Sequence, residues 1–552
     1  MRVRTTIAAA SFLALCAAPG LAGAATYSVG PGQPLATLAE VPWESLEPGD
    51  LVEIHWQADP YREKIVLGRS GTAERPIVIR GVRGPGGERP VISGENATTP
   101  PALNFWNEPR GLIKVGGSNS PPDSLPSHLV VEGLHLTSVR PAYSFTNDQG
   151  ATEAYASNAA AFYVEKAQHL VIRDNVLTDS GNGLFIGVNQ GQTQDILVEG
   201  NHIFDNGIVG SIYEHNSYTA AIGITFQYNH YGPLRDGAGG NNLKDRSAGL
   251  VVRYNWIESG NRQLDLVDGE DDPSVVNDPR YRETFVYGNV LIEPDGAGNS
   301  QIIHYGGDSG TVADYRKGTL YLHHNTVIST RSGNTTLLRL STNEENAQAV
   351  NNIVWAAAGG SRLAMLSSEG SLTLSHNWMS AGWTESHSPF NGSITDDGTG
   401  LGSAGEPGFV DLAGQDFTLT STAEVLDAGG LLPAATLPDH APLRQYLKHL
   451  GSAHRPDDGN PDLGAYEYCA SDCDPPATDG GTPDAGTEDG GGIADGGGTA
   501  DGGTADGGDA INPEAPGCDC SSEGRGTPGL GLLLLGLGLL ARRRTPASRL
   551  GS

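Results

Sequence analysis

LVIRDNVL (170–177), ILVEGNHI (196–203), ITFQYNHY (224–231), LVVRYNWI (250–257), FVYGNVLI (285–292), LYLHHNTVI (320–328), QAVNNIVW (348–355) and LTLSHNWM (372–379) are variations on one phrase. Each is a short run of alternating apolar residues that reaches an Asn and then adds a second apolar pair. An earlier segment, LVVEGLHL (129–136), has the same form with Leu134 in the Asn slot. The Asn residues stand at 175, 201, 229, 255, 289, 325, 352 and 377, spaced by 26, 28, 26, 34, 36, 27 and 25 residues. Alternation marks strands with one buried face. A period in the twenties with Gly/Asn corners marks a stacked solenoid, because each turn can satisfy its strand edges only against the turns above and below. The pattern predicts a parallel β-helix whose larger spacings are loop insertions on one corner. Asn tolerates left-handed corner geometry and can hydrogen-bond the next Asn in a column, so these residues read as structural.

The flanks extend the pattern. PGDLVEIHW (48–56) and RPIVIRG (75–81) are strand signals, so 27–94 reads as an N-terminal cap and first turns. FVDLAGQDFTL (409–419), VLDAGG (425–430) and PDLGAYEY (461–468) read as a closing segment. Composition agrees: 77 Gly and three Met in 552 residues argue against a helical bundle.

The net charge is −31. The first 24 residues carry +2, residues 521–552 carry +4 and residues 470–520 carry −12, which leaves −25 on 25–469. An acidic body excludes nucleic acid as the expected partner, since phosphate binding needs clustered Lys and Arg. Arg2 and Arg4 before the apolar run 7–18, with Ala22-Gly23-Ala24 as a small-residue cleavage site, predict a secretory signal over 1–24. The body then spans 25–469. Residues 470–517 include TDGGTPDAGTEDGGGIADGGGTADGGTADGGDA (478–510), which has too little apolar surface to offset chain entropy and reads as a disordered acidic linker. Residues 518–552 hold Cys518 and Cys520, an apolar run at 529–541 and then Arg542, Arg543 and Arg544. That run falls short of the ~20 residues that span a bilayer and reads as a sorting segment. It would be the chain's one contact with a membrane. No Cys lies in 25–468, and Cys469 and Cys473 are spaced to close a small loop.

The least generic stretch is 211–272, polar, aromatic-rich and charged in both signs. Counting from each Asn corner puts His215 at +14, Lys244 at +15, Asp268 and Glu270 at +13 and +15, and His304 at +15. Strand neighbours lie ~4.8 Å apart, so this column predicts His, Lys, acid and His within reach of one sugar, flanked by Arg246 and Asp265. Such a set suits β-elimination from a uronate. A cation neutralises the C6 carboxylate, a base takes the C5 proton, and an acid protonates the leaving oxygen. Lys244 is the first candidate base, with Arg246 or Arg262 assisting; His215 and Tyr213 are the alternatives. Asp268, Glu270 and Asp271 supply oxygens of the kind calcium takes. Tyr218 and Tyr231, with Trp106, Tyr143 and Phe145, are candidates to stack on sugar rings, and His304 to contact substrate.

The layout of 27–468, with GERPVISG (87–94) and the closing Asp-Leu-Gly-Ala-Tyr-Glu (462–467), resembles the right-handed parallel β-helix family of secreted polysaccharide-active proteins. NNLKDRSAGLVVRYNWIESG (241–260) resembles the Lys-containing turn of alginate-lyase and chondroitinase-B-like lyases, which implies Lys244 as the base. The Arg that such lyases carry about 21 residues later is replaced here by Asp265. The tail resembles the myxobacterial C-terminal sorting signal, which implies processing at Cys518 or Cys520 and retention at the cell surface. The sequence thus predicts an exported, monomeric, polysaccharide-active β-helix, read first as a lyase on an acidic glycan. A non-catalytic carbohydrate-binding surface protein or adhesin is the second reading and a glycoside hydrolase the third. The paired Asp-Asp, Gly-His-Gly and Arg-Ile-Lys set of polygalacturonases is absent, as are Gly-x-Ser-x-Gly and His-Glu-x-x-His motifs.

Overall fold

The computed structural model describes residues 23–470. Nearly all of the signal segment, the linker and the sorting tail with Cys518 and Cys520 lie outside the described residues. So does the second of the two units into which the chain divides, 480–552. Cys469, the one cysteine among the described residues, is disulfide-bonded.

The described chain is a right-handed parallel β-helix with three long parallel sheets. The first sheet has thirteen strands and begins with Thr26–Val29, Leu51–His55 and Ile77–Val82. It collects the strands that lead into each Asn, such as Gln168–Arg173, Gln194–Glu199, Ile222–Gln227 and Ala248–Arg253. The second sheet has ten short strands, eight of which follow an Asn of the column, among them Val176–Leu177, His202–Ile203, His230–Tyr231 and Trp256–Glu258. The third, also of ten, includes Gly111–Val115, Ala160–Val164, Asn182–Ile186, Ser217–Thr219, Leu243–Asp245, Leu264–Leu266, Gln301–Tyr305 and Thr335–Leu340. Inward Leu, Ile and Val from all three sheets form one continuous core.

The Asn column is continuous and buried. The backbone N–H and the side-chain Nδ2 of each Asn donate to the Oδ1 of the next: 2.9 and 3.0 Å from Asn201 to Asn229, 3.0 and 2.9 Å from Asn229 to Asn255, and so on to Asn377. Nδ2 also reaches back to a backbone carbonyl of the preceding turn, as from Asn255 to Phe226 at 2.9 Å. Leu134 ends the ladder as its slot implied, with its backbone N–H donating to Asn175 Oδ1. One expectation needs correction. The left-handed corner residue is the one before the Asn: Asp174, Tyr228, Tyr254, His324, Asn351 and His376 have φ between 48° and 59°. The Asn itself stays out of that region because its amide must face its neighbours along the stack.

The closing segment does more than cap the end. It runs back along the outer face of the second sheet, where Phe409, Phe417, Val425, Tyr446 and Leu463 pack on Trp256, Ile292, Ile328, Ile353 and Trp378. His449 stacks on His230 (centroids 3.9 Å apart) and His440 on Phe285 (3.6 Å). The large insertions behave as expected: residues 267–282 and 306–318 both leave the corner between the third and first sheets.

Replacing Asn255 by Ala should destabilise the body by roughly 3–5 kcal/mol, because the Asn229 donors and the Phe226 carbonyl lose their buried partner together. Urea unfolding measures this, and a loss below about 1 kcal/mol would show that the column does not hold the stack.

Candidate functional site

Register decides which outward side chains meet. On the third sheet Phe185 pairs with Tyr218, Tyr218 with Lys244, Lys244 with Asp265, Asp265 with His304, and His304 with Arg339. Their inward neighbours, Leu243, Leu264, Leu266 and Ile303, are core. The column is therefore Phe185, Tyr218, Lys244, Asp265, His304, Arg339. Counting from the Asn corners put an acid from 268–270 in the Asp265 place and His215 in that of Tyr218. It misjudged both because the corner between the second and third sheets varies in length. The offset from Asn to the outward residue is 17 at Tyr218, 15 at Lys244, 10 at Asp265 and 15 at His304.

Lys244 lies in the strand Leu243–Asp245 and Arg246 directly follows it on the same face; Asp245 between them points inward to Thr219 and Ser247. Arg316, from the inserted loop, meets Asp245 in the interior and donates to the carbonyls of Val267 and Ser247, both at 2.9 Å. That anchor holds the 306–318 loop over the column. From it Asp308 reaches both cations: one carboxylate oxygen contacts Lys244 Nζ and the other lies 2.8 Å from Arg246 Nη2. Lys244 Nζ is also 3.1 Å from Asp265 Oδ2. Arg246 is almost enclosed: Nη2 meets Glu270 at 2.6 Å, Nη1 donates to the Asp268 carbonyl at 2.7 Å, and Nε to the Tyr218 hydroxyl at 2.8 Å. Tyr218 in turn donates to Asp271 at 3.2 Å.

Asp265 is the hub. Its carboxylate accepts from Asn241 Nδ2 (2.8 Å), Lys244 and His304 Nδ1 (2.8 Å), with Arg262 Nη1 at 3.7 Å. Burial alone would raise its pKa. The His304 hydrogen bond and the charges of Lys244 and Arg262 outweigh that and hold it well below the ordinary carboxylate range. Asp308 is lowered in the same way by Lys244 and Arg246. Burial pushes His304 down to about 4 against the attraction of Asp265, and His215 down to about 3 with help from the Lys244 charge. Burial raises Glu270, with the neighbouring acids adding to it and Arg246 opposing.

The structure gathers Lys244, Arg246, His215, Asp265, Tyr218, Arg262, His304, Asp268, Glu270 and Asp271 into one patch. His215 joins through its Nδ1, which accepts from the Asn241 backbone at 2.9 Å, and by stacking on Tyr218. Other expectations need correction. Tyr231 is fully buried, its ring among the core side chains and its hydroxyl on Ser217, so it cannot stack on a sugar. Tyr213, on the loop before His215, is 77 % exposed and so remains open to a sugar. Phe145 is buried against the Lys64 ammonium, and Phe105 is cap core. The acids fit Arg246 rather than calcium. Asp268 Oδ1 accepts from the Asp308 backbone at 2.8 Å, its Oδ2 accepts from Ser309, Glu270 is on Arg246 and Asp271 on Tyr218. Among the described residues no group of three or more His, Cys, Asp or Glu is arranged to hold a metal ion. Sequence reading missed Asp308, Asn241 and Ser341. For Asp308 a signal existed: Gly306-Gly307 and Gly310 around it mark a sharp loop after the His304 strand.

No family model matches this sequence, and no curated protein matches it. Among solved structures, the chain is similar to an alginate lyase from Paenibacillus sp. str. FPU-7 (11 % identity, TM-score 0.39, covering 67 % of this chain and 99 % of that one). It is also similar to pectate lyase Pel9A (13 %, 0.45, 81 % and 97 %) and to the GH136 lacto-N-biosidase of Eubacterium ramulus (12 %, 0.36, 69 % and 68 %). At such identities these are likenesses of fold.

Acid should weaken the body in two stages. A histidine whose folded pKa is depressed contributes stability that is complete above its unfolded value, about 6.5, and is lost as pH falls toward the folded one. His215 and His304 do this, as do His202, His323 and His449, at about 3 to about 4. Asp265 and Asp308 then lose theirs below the unfolded Asp value of about 3.9. Urea midpoints that fall continuously from about pH 6.5 to about pH 4, and further below pH 4 as the carboxylates titrate, are expected; a flat profile from 7 to 4 would contradict the buried neutral histidines.

Proposed function

We propose that this chain cleaves an acidic polysaccharide by β-elimination at the Lys244–Arg246 face of the third sheet. One observation carries the reading: two cations two residues apart, one within a strand and one just past its end, hold a single carboxylate, that of Asp308, between them. A uronate C6 carboxylate has the same size and charge. Asp308 is the partly exposed member of the trio, on a loop hinged by glycines, and it is the group a substrate carboxylate would displace. The body is acidic, yet Lys244, Arg246, Arg262 and Arg339 are concentrated here.

With the substrate carboxylate on Arg246, the acidity of the C5 proton rises. Arg246 keeps its charge throughout, since Tyr218 and the surrounding acids outweigh burial and raise its pKa. As the substrate carboxylate displaces Asp308, that carboxylate carries the Lys244 ammonium proton away with it, and the neutral amine left behind accepts the C5 proton. The C5–H electrons form the C4–C5 double bond, and the C4–O bond breaks. Tyr218, whose phenol burial keeps protonated, donates to the departing oxygen. Asp265, with Asn241 and His304 behind it, orients the Lys244 amine.

Glycoside hydrolysis is the second reading. Glu270 and Asp308 both contact Arg246 Nη2, at 2.6 and 2.8 Å, and their pKa values are pushed in opposite directions. That places two carboxylates within the separation of about 5–5.5 Å used by retaining glycosidases.

Incubation with alginate, pectate, chondroitin and neutral glycans separates the readings. Unsaturated-uronate absorbance indicates a lyase, new reducing ends without it a hydrolase, and binding alone an adhesin. Lys244→Ala should lower turnover about 10²–10⁴-fold with the fold intact. A chelator should leave turnover unchanged, because Arg246 does the neutralising; dependence on added calcium would overturn that assignment. We further propose that the chain is exported and held at the cell surface through its tail. Deleting 518–552 should then move it wholly to the medium, and unchanged cell association would refute this.

A further inference from the structure

The reactive column continues past Asp265. His304 lies one rung on, and Ser341 follows the next strand, Thr335–Leu340. Asp265 Oδ1 is 2.8 Å from His304 Nδ1, and His304 Nε2 is 2.9 Å from Ser341 Oγ. An ionised carboxylate only accepts, so Nδ1 carries the ring proton and Nε2 is left to accept from the serine hydroxyl. Ser341 Oγ also accepts the Gly307 N–H at 2.9 Å, and the Gly307 carbonyl, at 2.9 Å, competes for its proton. Asp265 and His304 are 2 % exposed, whereas Ser341 is only partly buried, so the chain of hydrogen bonds is dry at its acid end and opens at the hydroxyl.

This is the relation of orienting acid, base and nucleophile that activates a serine. We infer that Ser341, His304 and Asp265 form an acyl-transfer centre that hydrolyses esters of small acyl groups on sugar hydroxyls. Ser341 Oγ attacks the acyl carbon as its proton passes to His304 Nε2. The ester C–O bond breaks, the same proton goes to the departing sugar oxygen, and the acyl group stays on Ser341. Water, deprotonated by His304, then releases the acid and restores the hydroxyl. Arg339, the register partner of His304, and Arg262 lie within electrostatic reach and favour the oxyanion. The choice of a glycan ester rests on the proposed function: Ser341 lies two to three rungs, on the order of 10–15 Å, along the sheet from Lys244. A sugar chain cleaved at Lys244 would present a neighbouring unit to Ser341. Ser341 stands in Arg-Leu-Ser-Thr, without the glycine elbow by which sequence reading finds such a serine.

The test uses the full chain with p-nitrophenyl acetate, acetylated glycan and a fluorophosphonate probe. Ester hydrolysis is expected, with the probe covalently on Ser341 by peptide mass spectrometry. Ser341→Ala should lose the label and at least about 100-fold of ester hydrolysis, while uronate cleavage stays within about twofold. If Ser341→Ala fails to fold by circular dichroism, the mapped label on the wild-type chain decides. Absence of labelling at Ser341, or ester hydrolysis that persists in a folded Ser341→Ala protein, would overturn the inference. So would a Ser341→Ala protein that lowers uronate cleavage with no esterase to lose, since the serine would then only position His304. Labelling and ester hydrolysis without cleavage of any glycan would uphold this centre and sink the lyase reading alone.

Discussion

The amide of asparagine is a peptide group on a side chain, and the body depends on that equivalence. At each turn between Asn175 and Asn377, one buried amide accepts two hydrogen bonds from the turn before and passes two on. The corner between the first and second sheets is thereby tied at one height per rung. A buried polar column is tolerated only when fully satisfied, and here each Asn supplies what its neighbour lacks. With that corner fixed, the other two can change length without loss of register. The residue before each Asn, often in the left-handed region, makes the bend that keeps the amide aligned.

That freedom is where the site comes from. The corner between the third and first sheets throws out 267–282 and 306–318, which bring Asp268, Glu270 and Asp308 over the outward face of the third sheet. The corner between the second and third sheets carries a smaller polar ladder, Asn206 to Asn216 to Asn242, which fixes the backbone beside His215 and Asn241. Arg316 pins the 306–318 loop from inside. A rigid stack and pinned loops together set side chains from four rungs at hydrogen-bond distances, as catalysis by position requires.

The charges are nearly dry, so their pairing is obligatory. Lys244 and Arg246 are 7 % and 4 % exposed, and each is surrounded by acids. Removing water strengthens every attraction among them and makes an unpaired member costly. The network is closed at Arg246 and Asp265 and open at Asp308 and Glu270. Substrate would therefore meet it along that edge. A solenoid scaffold supports several chemistries, and the choice among them lies in these few contacts.

The sequence alone determined the solenoid, the structural role of the Asn column and the region that holds the charge cluster. Period and alternation are local properties, and a parallel stack repeats them without long-range choices. Lys244, Arg246, His215 and His304 were legible as members of one region because their turns are consecutive. Their mutual register was not, since it depends on how many residues each corner absorbs. Asp265 in place of Asp268, Tyr218 in place of His215, and the inward turn of Tyr231 all follow from corner lengths and strand parity that only the folded stack reveals. Glycines marked the loop of Asp308, but its contacts, like Ser341, were hidden for the same reason: each lies on a loop or strand end whose direction is set by Arg316 and Gly307 in the interior and at the corner. Tertiary structure decided which charges touch, because contact across turns depends on register, and register is a property of the whole stack.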